Sequence, residues 1–382
     1  MNNFNLFFDN NGEDNVIEDD TVEDDVIKKL LQDNLDYLHS IDVKEYTLFR
    51  KWDDIQTQKW IPKSINKINE IKSMLWHPTD IIKDLENLKP EIIHVQHPKD
   101  QLIWKILRTF THTGTWKQSP GRLLKFYVRD KITQKYLGIM SFGSDFIGIG
   151  GRDNVIGWTT DQKLKKGMLK HTIMGSTISP TQPFGFNYVG GKLIALLCAS
   201  DVIENVFNSK YDEKLAGITT TSLYGGYSQY TRLNYWKKCK SSDGTITLEP
   251  SETIYQQAKN WFKLKYPEEY NNIIKKSHPK SRILSLIYKK LDILTYKNNA
   301  PRGVYWCPLY ENTNEFLRME ESKLKKKRFD NSVESLTELW KNKYAFKRIK
   351  NKPNLAYPLF YDDIINNEWN IVKEKYLKEV GR

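Results

Sequence analysis

The chain has 382 residues, three cysteines and a net charge of +12 at pH 7. Cys198, Cys239 and Cys307 lie far apart with no CxxC pair, which argues against a disulfide framework or a cysteine-rich zinc site and points to a reducing, cytoplasmic compartment. No apolar run approaches the roughly 18–20 residues that a membrane span needs, and no basic stretch leads into an apolar one at the N-terminus, so neither a membrane anchor nor secretion is expected.

Residues 1–27 hold nine acidic side chains and no basic one, so the overall +12 against −9 here leaves +21 on residues 28–382. A polar, like-charged tail is expected to be disordered and open to a protein partner. A basic body in which 13% of residues are aromatic suits a polyanion, and DNA is the expected partner.

Residues 28–120 predict a helical region, since Leu31, Leu35 and Leu38, and later Ile65, Ile68, Ile71 and Leu75, recur at helical spacing. From Gly121 to about residue 250 the pattern becomes mixed. Leu123–Val128 and Leu137–Phe142 read as strands around a polar turn, with Phe146–Ile149 as a third. A short helix over Lys163–Met174 leads into a loop over Thr177–Pro183. A single apolar helix spans Gly190–Phe207, Leu215–Thr220 is a strand, and Ser228–Lys238 is a short aromatic-rich helix. Residues 251–382 return to helices, broken by an isolated strand at Arg302–Trp306 and a basic run at Lys325–Arg328, before an amphipathic helix over Ser332–Tyr344. The fold class is therefore α+β: a mixed central sheet domain flanked by helical N- and C-terminal regions.

The central segment carries the candidate chemistry. Gly190 and Gly191 open a helix just after Asn187, with Lys192 beside them. Open backbone N–H groups and the helix dipole at such a point can hold a phosphate; equally, glycine is what a tightly packed first turn requires. Arg152, Asp153 and Trp158 form a second group. There an arginine can fork onto a phosphate while a carboxylate acts as base, or the pair can be a structural ion pair in a turn. Tyr224, Tyr227, Tyr230, Tyr235 and Trp236, with Arg232 among them, offer stacking faces for bases and a phenol as proton donor, or simply core. Lys326 and Arg328 add basic groups for a phosphate backbone. His94 and His97 lack a third ligand nearby, so no metal site is expected.

The phrases Tyr136-Leu137-Gly138-Ile139, Arg152-Asp153 with Ile156-Gly157-Trp158, Asn187 before the helix, and Tyr230-Thr231-Arg232-Leu233-Asn234-Tyr235-Trp236 resemble the DruA family, a component of the Druantia anti-phage defence systems. The chain also resembles uncharacterised tailed-phage proteins, through Pro301-Arg302-Gly303-Val304-Tyr305. More distantly, the strand–loop–helix–strand order is similar to the phage Mom DNA-modification proteins, whose fold is GNAT-like (that of the N-acyltransferases). The resemblance implies a GNAT-like core and a DNA base-modifying enzyme acting on an extruded base. In that reading Arg152 positions a phosphate, Asp153 orients or deprotonates, Tyr230 or Tyr235 moves a proton, and Asn187, Gly190, Gly191 and Lys192 cradle an acyl-CoA-like donor. The usual Arg/Gln-x-x-Gly-x-Gly/Ala loop for that donor is absent. The alternatives are a non-catalytic DNA-binding protein on the same scaffold and, third, a DNA-nicking enzyme.

Overall fold

The computed structural model describes residues 24–111, 121–222, 228–240, 244–276, 279–299, 301–351 and 364–379. The acidic tail up to residue 23, and Tyr224 and Tyr227 of the aromatic cluster, lie outside the described residues; Asp24 and Asp25 open the first helix, Asp24–Ser40. The chain divides into two units, residues 1–40 with 248–296, and residues 41–247 with 297–382.

The first unit is helical. Ile27, Leu31, Leu35 and Leu38 are buried along one side of Asp24–Ser40, as a 3.6-residue repeat requires. Facing it, Glu252–Lys265 buries Tyr255, Ala258, Trp261 and Phe262, and Pro279–Leu291 buries Ile283, Leu284 and Ile287. Asp24 accepts from Trp261 Nε1 and from Lys265, tying the two helices.

The second unit is built on a sheet. Its strands are β1 (Pro90–His94), β2 (Leu123–Asp130), β3 (Tyr136–Ser144), β4 (Thr172–Pro180), β5 (Gly217–Ser222), β6 (Lys237–Lys238), β7 (Thr245–Thr247), β8 (Lys297–Asn299) and β9 (Gly303–Pro308). Seven of them lie in the order β1-β2-β3-β4-β5-β9-β6, and β7 pairs β8 separately. Every neighbouring pair in the large sheet is antiparallel except β4 and β5, whose parallel pairing runs from Thr172↔Gly217 to Gly175↔Thr220. With helices on both faces, the fold is α+β.

Both faces of the sheet are covered. Consecutive residues of a strand point to opposite sides, and β9 shows it: Tyr305 and Cys307 enter the larger apolar cluster, Val304 and Trp306 the smaller one. The larger cluster is closed by Gly190–Leu197, Asp201–Tyr211 and Val333–Trp340, through Leu193, Phe207 and Trp340 among others. The helix Gly150–Ile156 covers the opposite face through Ile156, beside Trp158 and Trp306. On that same opposite face, at β2, Tyr127 donates to Asp100 of the helix Pro98–Thr109, and Trp104 Nε1 reaches the carbonyls of Phe126 and Met140.

Several local expectations change. Phe146–Ile149 is a turn, not a strand, because the Phe146 carbonyl accepts from Arg152. Thr177–Pro180 continues β4 rather than looping out; the prolines sit at and beyond its end. The apolar helix breaks at Ser200, whose extended backbone caps Asp201–Tyr211. Ser228–Lys238 makes turns ending in β6, held by packing of Tyr230 and Trp236 and not by helical bonds. The strand at 303–308 is not isolated, since it lies between β5 and β6.

Candidate nucleic-acid interface

The sheet separates the sequence-predicted site residues into two groups. Arg152, Asp153 and Trp158 lie on the side of the smaller apolar cluster; Tyr230, Tyr235 and Trp236 pack with the larger one, beneath the helix that starts at Gly190. They do not form one site.

Arg152 is fully buried, with 0% of its side chain exposed. Its Nη1 pairs with Asp145 at 2.7 Å, its Nε and Nη2 donate to one oxygen of Asp153 at 2.9 and 2.7 Å, and Nη2 also donates to the Phe146 carbonyl. Trp158 Nε1 donates to the same Asp153 oxygen at 2.8 Å, and Lys163 holds the other at 2.8 Å. Asp145 in turn accepts from Thr219 of β5. This corrects the phosphate-binding role expected of Arg152: the guanidinium is enclosed and has no face for a ligand. Trp158, expected beside Arg152 at a nucleic-acid contact, is likewise buried, with the guanidinium over its ring. Asp153 is poorly suited to act as a base. Burial alone would raise its pKa, but bonds from Lys163 and Trp158 and the charge of Arg152 outweigh burial and hold the carboxyl below its ordinary value.

At the other group, the helix start is filled. A Cβ on Gly190 would stand 2.3 Å from the Phe184 ring, and one on Gly191 would stand 2.6 Å from Gln229 Oε1. Close packing accounts for Gly190, and Gly191 abuts the flexible end of Gln229, which favours the packing alternative over the anion cradle. Asn187 is buried, and its carbonyl accepts from Arg348. Gln229 bonds the Ile178 carbonyl at 2.7 Å and the Tyr230 hydroxyl at 3.0 Å. Beyond Gly175 and Thr220, β4 no longer pairs with β5; Gln229 reaches in at that divergence. Tyr230 is buried between Trp236 and Tyr305, and burial, more than the nearby Cys198, pushes its phenol pKa up. Trp236 donates to the Ala195 carbonyl. Tyr235 is half-buried and stacks on Phe329 at 3.7 Å, and burial, then Asp330, raises its pKa. Arg328 donates to the carbonyls of Asn234 and Tyr235, so it braces this loop, while Lys326 is exposed.

What remains accessible is a cationic rim on this side of the sheet. Lys192 donates to the carbonyls of Gln229 and Thr231, at 3.1 and 2.5 Å, and lies 5.1 Å from the Tyr344 ring. Tyr344 donates to the Arg232 carbonyl at 2.7 Å. Lys343 lies 5.7 Å from the same ring. Arg232 and Lys343 are exposed, and among the described residues no carboxylate pairs with any of the three cations. Burial, then Arg232 and then Lys343, bring the pKa of Lys192 down to about 8. Arg232 takes the left-handed backbone at φ 63°, a conformation uncommon outside glycine that surrounding structure must enforce. Lys343 and Tyr344 sit in a five-residue π-helix, Lys341–Ala345, a rare form frequently found at functional sites. Sequence reasoning found Lys192 and Arg232 but not Lys343 and Tyr344. Their only sequence signal is two lysines flanking a tyrosine's turn, which reads as ordinary helix surface.

Among the described residues no helix is long and apolar enough to cross a membrane. No solved structure matches the chain. It is 30% identical over 125 residues to the Druantia protein DruA of Escherichia coli (strain UMEA 4076-1), a stretch covering 30% of this chain and 30% of that protein. The chain thus matches under a third of that relative's length. The family described as Druantia protein DruA, however, matches residues 38–319, which take in β1 to β6 and β9, the Arg152 network and both Lys192 and Arg232. The chain belongs to the DruA family.

Proposed function

We propose that this protein is the DNA-binding component of a Druantia-type anti-phage defence system, acting in the cytoplasm, and that it holds the phosphate backbone at the Lys192–Arg232–Lys343 rim. The observation that carries this reading is the convergence of three cations, without carboxylate partners among the described residues, around one tyrosine. Cations so placed bind phosphates without reading sequence, and an aromatic ring between them offers a base a stacking face. The excess of +21 on residues 28–382 supplies the long-range attraction. Fluorescence anisotropy with single- and double-stranded oligonucleotides over a salt series tests it. Each of Arg232→Ala and Lys343→Gln should weaken binding and lower the salt slope by about 1. A wild-type slope in both variants rejects the rim as the interface.

A second reading, DNA base modification on a GNAT-like core, is favoured by one observation. A single parallel pair, β4 and β5, diverges after Gly175 in an otherwise antiparallel sheet, and the helix from Gly190 lies between them in sequence. Gln229 reaching into the divergence and the close-packed glycines weigh against a donor there. Mass analysis of nucleosides from DNA of cells making the protein separates the readings: a new base mass supports modification, and unaltered nucleosides with salt-sensitive DNA co-purification support binding.

A further inference from the structure

The covered sheet face on the far side from the rim carries a group of polar residues that the DNA-binding reading does not use. Lys125 of β2 and Ser141 of β3 are cross-strand partners, so their side chains leave the sheet together on one face, about 4.5–5.5 Å apart at Cβ. The Ser141 hydroxyl lies 2.8 Å from that of Ser176. Ser176 is the extra residue of a β-bulge, since Ser141 pairs with Thr177 and Phe142 with Gly175. It is the one exposed position of β4. Bulges are enriched beside functional sites, where they redirect a side chain.

The helix Pro98–Thr109 forms the wall. Lys125 Nζ lies 4.8 Å from the Trp104 ring, and Arg108 lies 5.5 Å from it. Lys51 comes in from the helix Val43–Gln56 and donates to the Thr111 carbonyl. All three cations are buried. Asp54 acts on Arg108, but among the described residues no carboxylate pairs with Lys125. Burial and the neighbouring charges of Arg108 and Lys105 bring the Lys125 pKa down. Burying the Lys125 ammonium without a carboxylate is costly, and a bound anion offsets it.

We propose that Lys125, with the Ser141–Ser176 hydroxyl pair as floor and Trp104 as wall, forms a site for a phosphoryl group separate from the DNA-binding rim. Lys125 supplies the charge, and the two hydroxyls rotate to donate to phosphate oxygens. Either a free nucleotide or a nucleic-acid phosphodiester carries this chemistry.

Calorimetric titration with inorganic pyrophosphate tests the site on the full-length protein. Wild type should bind, and Ser176→Ala and Lys125→Met should each weaken binding at least about tenfold, equivalent to 1.4 kcal/mol. Lys165→Gln, a solvent-exposed lysine outside both sites, should bind as wild type does. Ser176 is exposed, so its variant keeps the fold and decides the matter even if Lys125→Met does not. Competition then identifies the source. Displacement by a mononucleotide but not by a 12-mer single strand marks a nucleotide site, and displacement by the 12-mer marks a backbone site. Absence of pyrophosphate binding in wild type, or unchanged binding in Ser176→Ala, overturns the proposal.

Discussion

A single carboxylate oxygen of Asp153 accepts from both Nε and Nη2 of Arg152, at 2.9 and 2.7 Å, inside a region where the arginine is entirely shielded from water. The pair is adjacent in sequence and looks like a reactive dyad there, yet in the fold it joins the turn after β3 to the helix Gly150–Ile156. Stranding a buried charge costs about 3–5 kcal/mol; Arg152 keeps Asp145 when Asp153 is removed, so the loss lies toward the low end of that range. Asp153→Ala should therefore lower unfolding stability by roughly that amount in urea titration. Any loss of DNA binding should follow the unfolded fraction. A stable Asp153→Ala protein that has lost function would return Asp153 to a catalytic role.

The same carboxylate sets an acid limit. Its folded pKa lies below the ordinary value near 3.8, so its contribution is fully present above 3.8 and is lost as pH falls through the lowered folded value. Asp153→Asn should flatten the acid limb of the stability curve below about pH 4. An unchanged limb would show that the depression is not real.

If the rim binds DNA as proposed, Lys192 should make that binding sensitive to mildly alkaline pH. Its pKa of about 8 in the fold means the rim carries this charge below pH 8 and loses it above. The salt slope should fall by about 1 between pH 7 and 9 in wild type and stay constant in Lys192→Gln. Stability should move the other way. Between pH 8 and the unfolded value of 10.5 the unfolded chain binds the extra proton, so this residue makes the fold gain stability as pH rises. Identical slopes at pH 7 and 9 would remove Lys192 from the interface.

Gly190→Ala should destabilise by about 1–3 kcal/mol, the range for overpacking, because the new methyl meets the buried Phe184 ring at 2.3 Å. Gly191→Ala meets the end of Gln229 and should cost less. Melting temperatures of the two variants check this order. Loss of ligand binding at full stability in Gly190→Ala would instead support an anion cradle.

The α+β class and the strands β2, β3, β5 and β9 are legible in the sequence because each shows a β-branched or aromatic run bounded by turn residues. Thr177–Pro180 is not, because proline and small polar residues imitate a loop when the strand they belong to is central and its Pro180 sits at the terminus. Lys192 and Arg232 are legible as a cationic pair only in part: nothing local indicates that Tyr344, over a hundred residues later, bridges them. The buried cations Lys51, Arg108 and Lys125 are the least legible. Charge reads as surface, and only the crossing of Pro98–Thr109 over the sheet draws them inside.

The position of β9 bears on how the chain acquires its fold. It lies between β5 and β6, yet it is encoded after both, with residues 248–296 of the helical unit intervening. During synthesis β5 keeps an open hydrogen-bonding edge until residue 308 has left the ribosome. Exposed strand edges recruit other chains, and pairing over a long sequence separation is slow. The nascent protein thus passes through a window in which its central sheet lacks its last two strands and is adhesive at β5, and the helical insertion sets how long that window lasts.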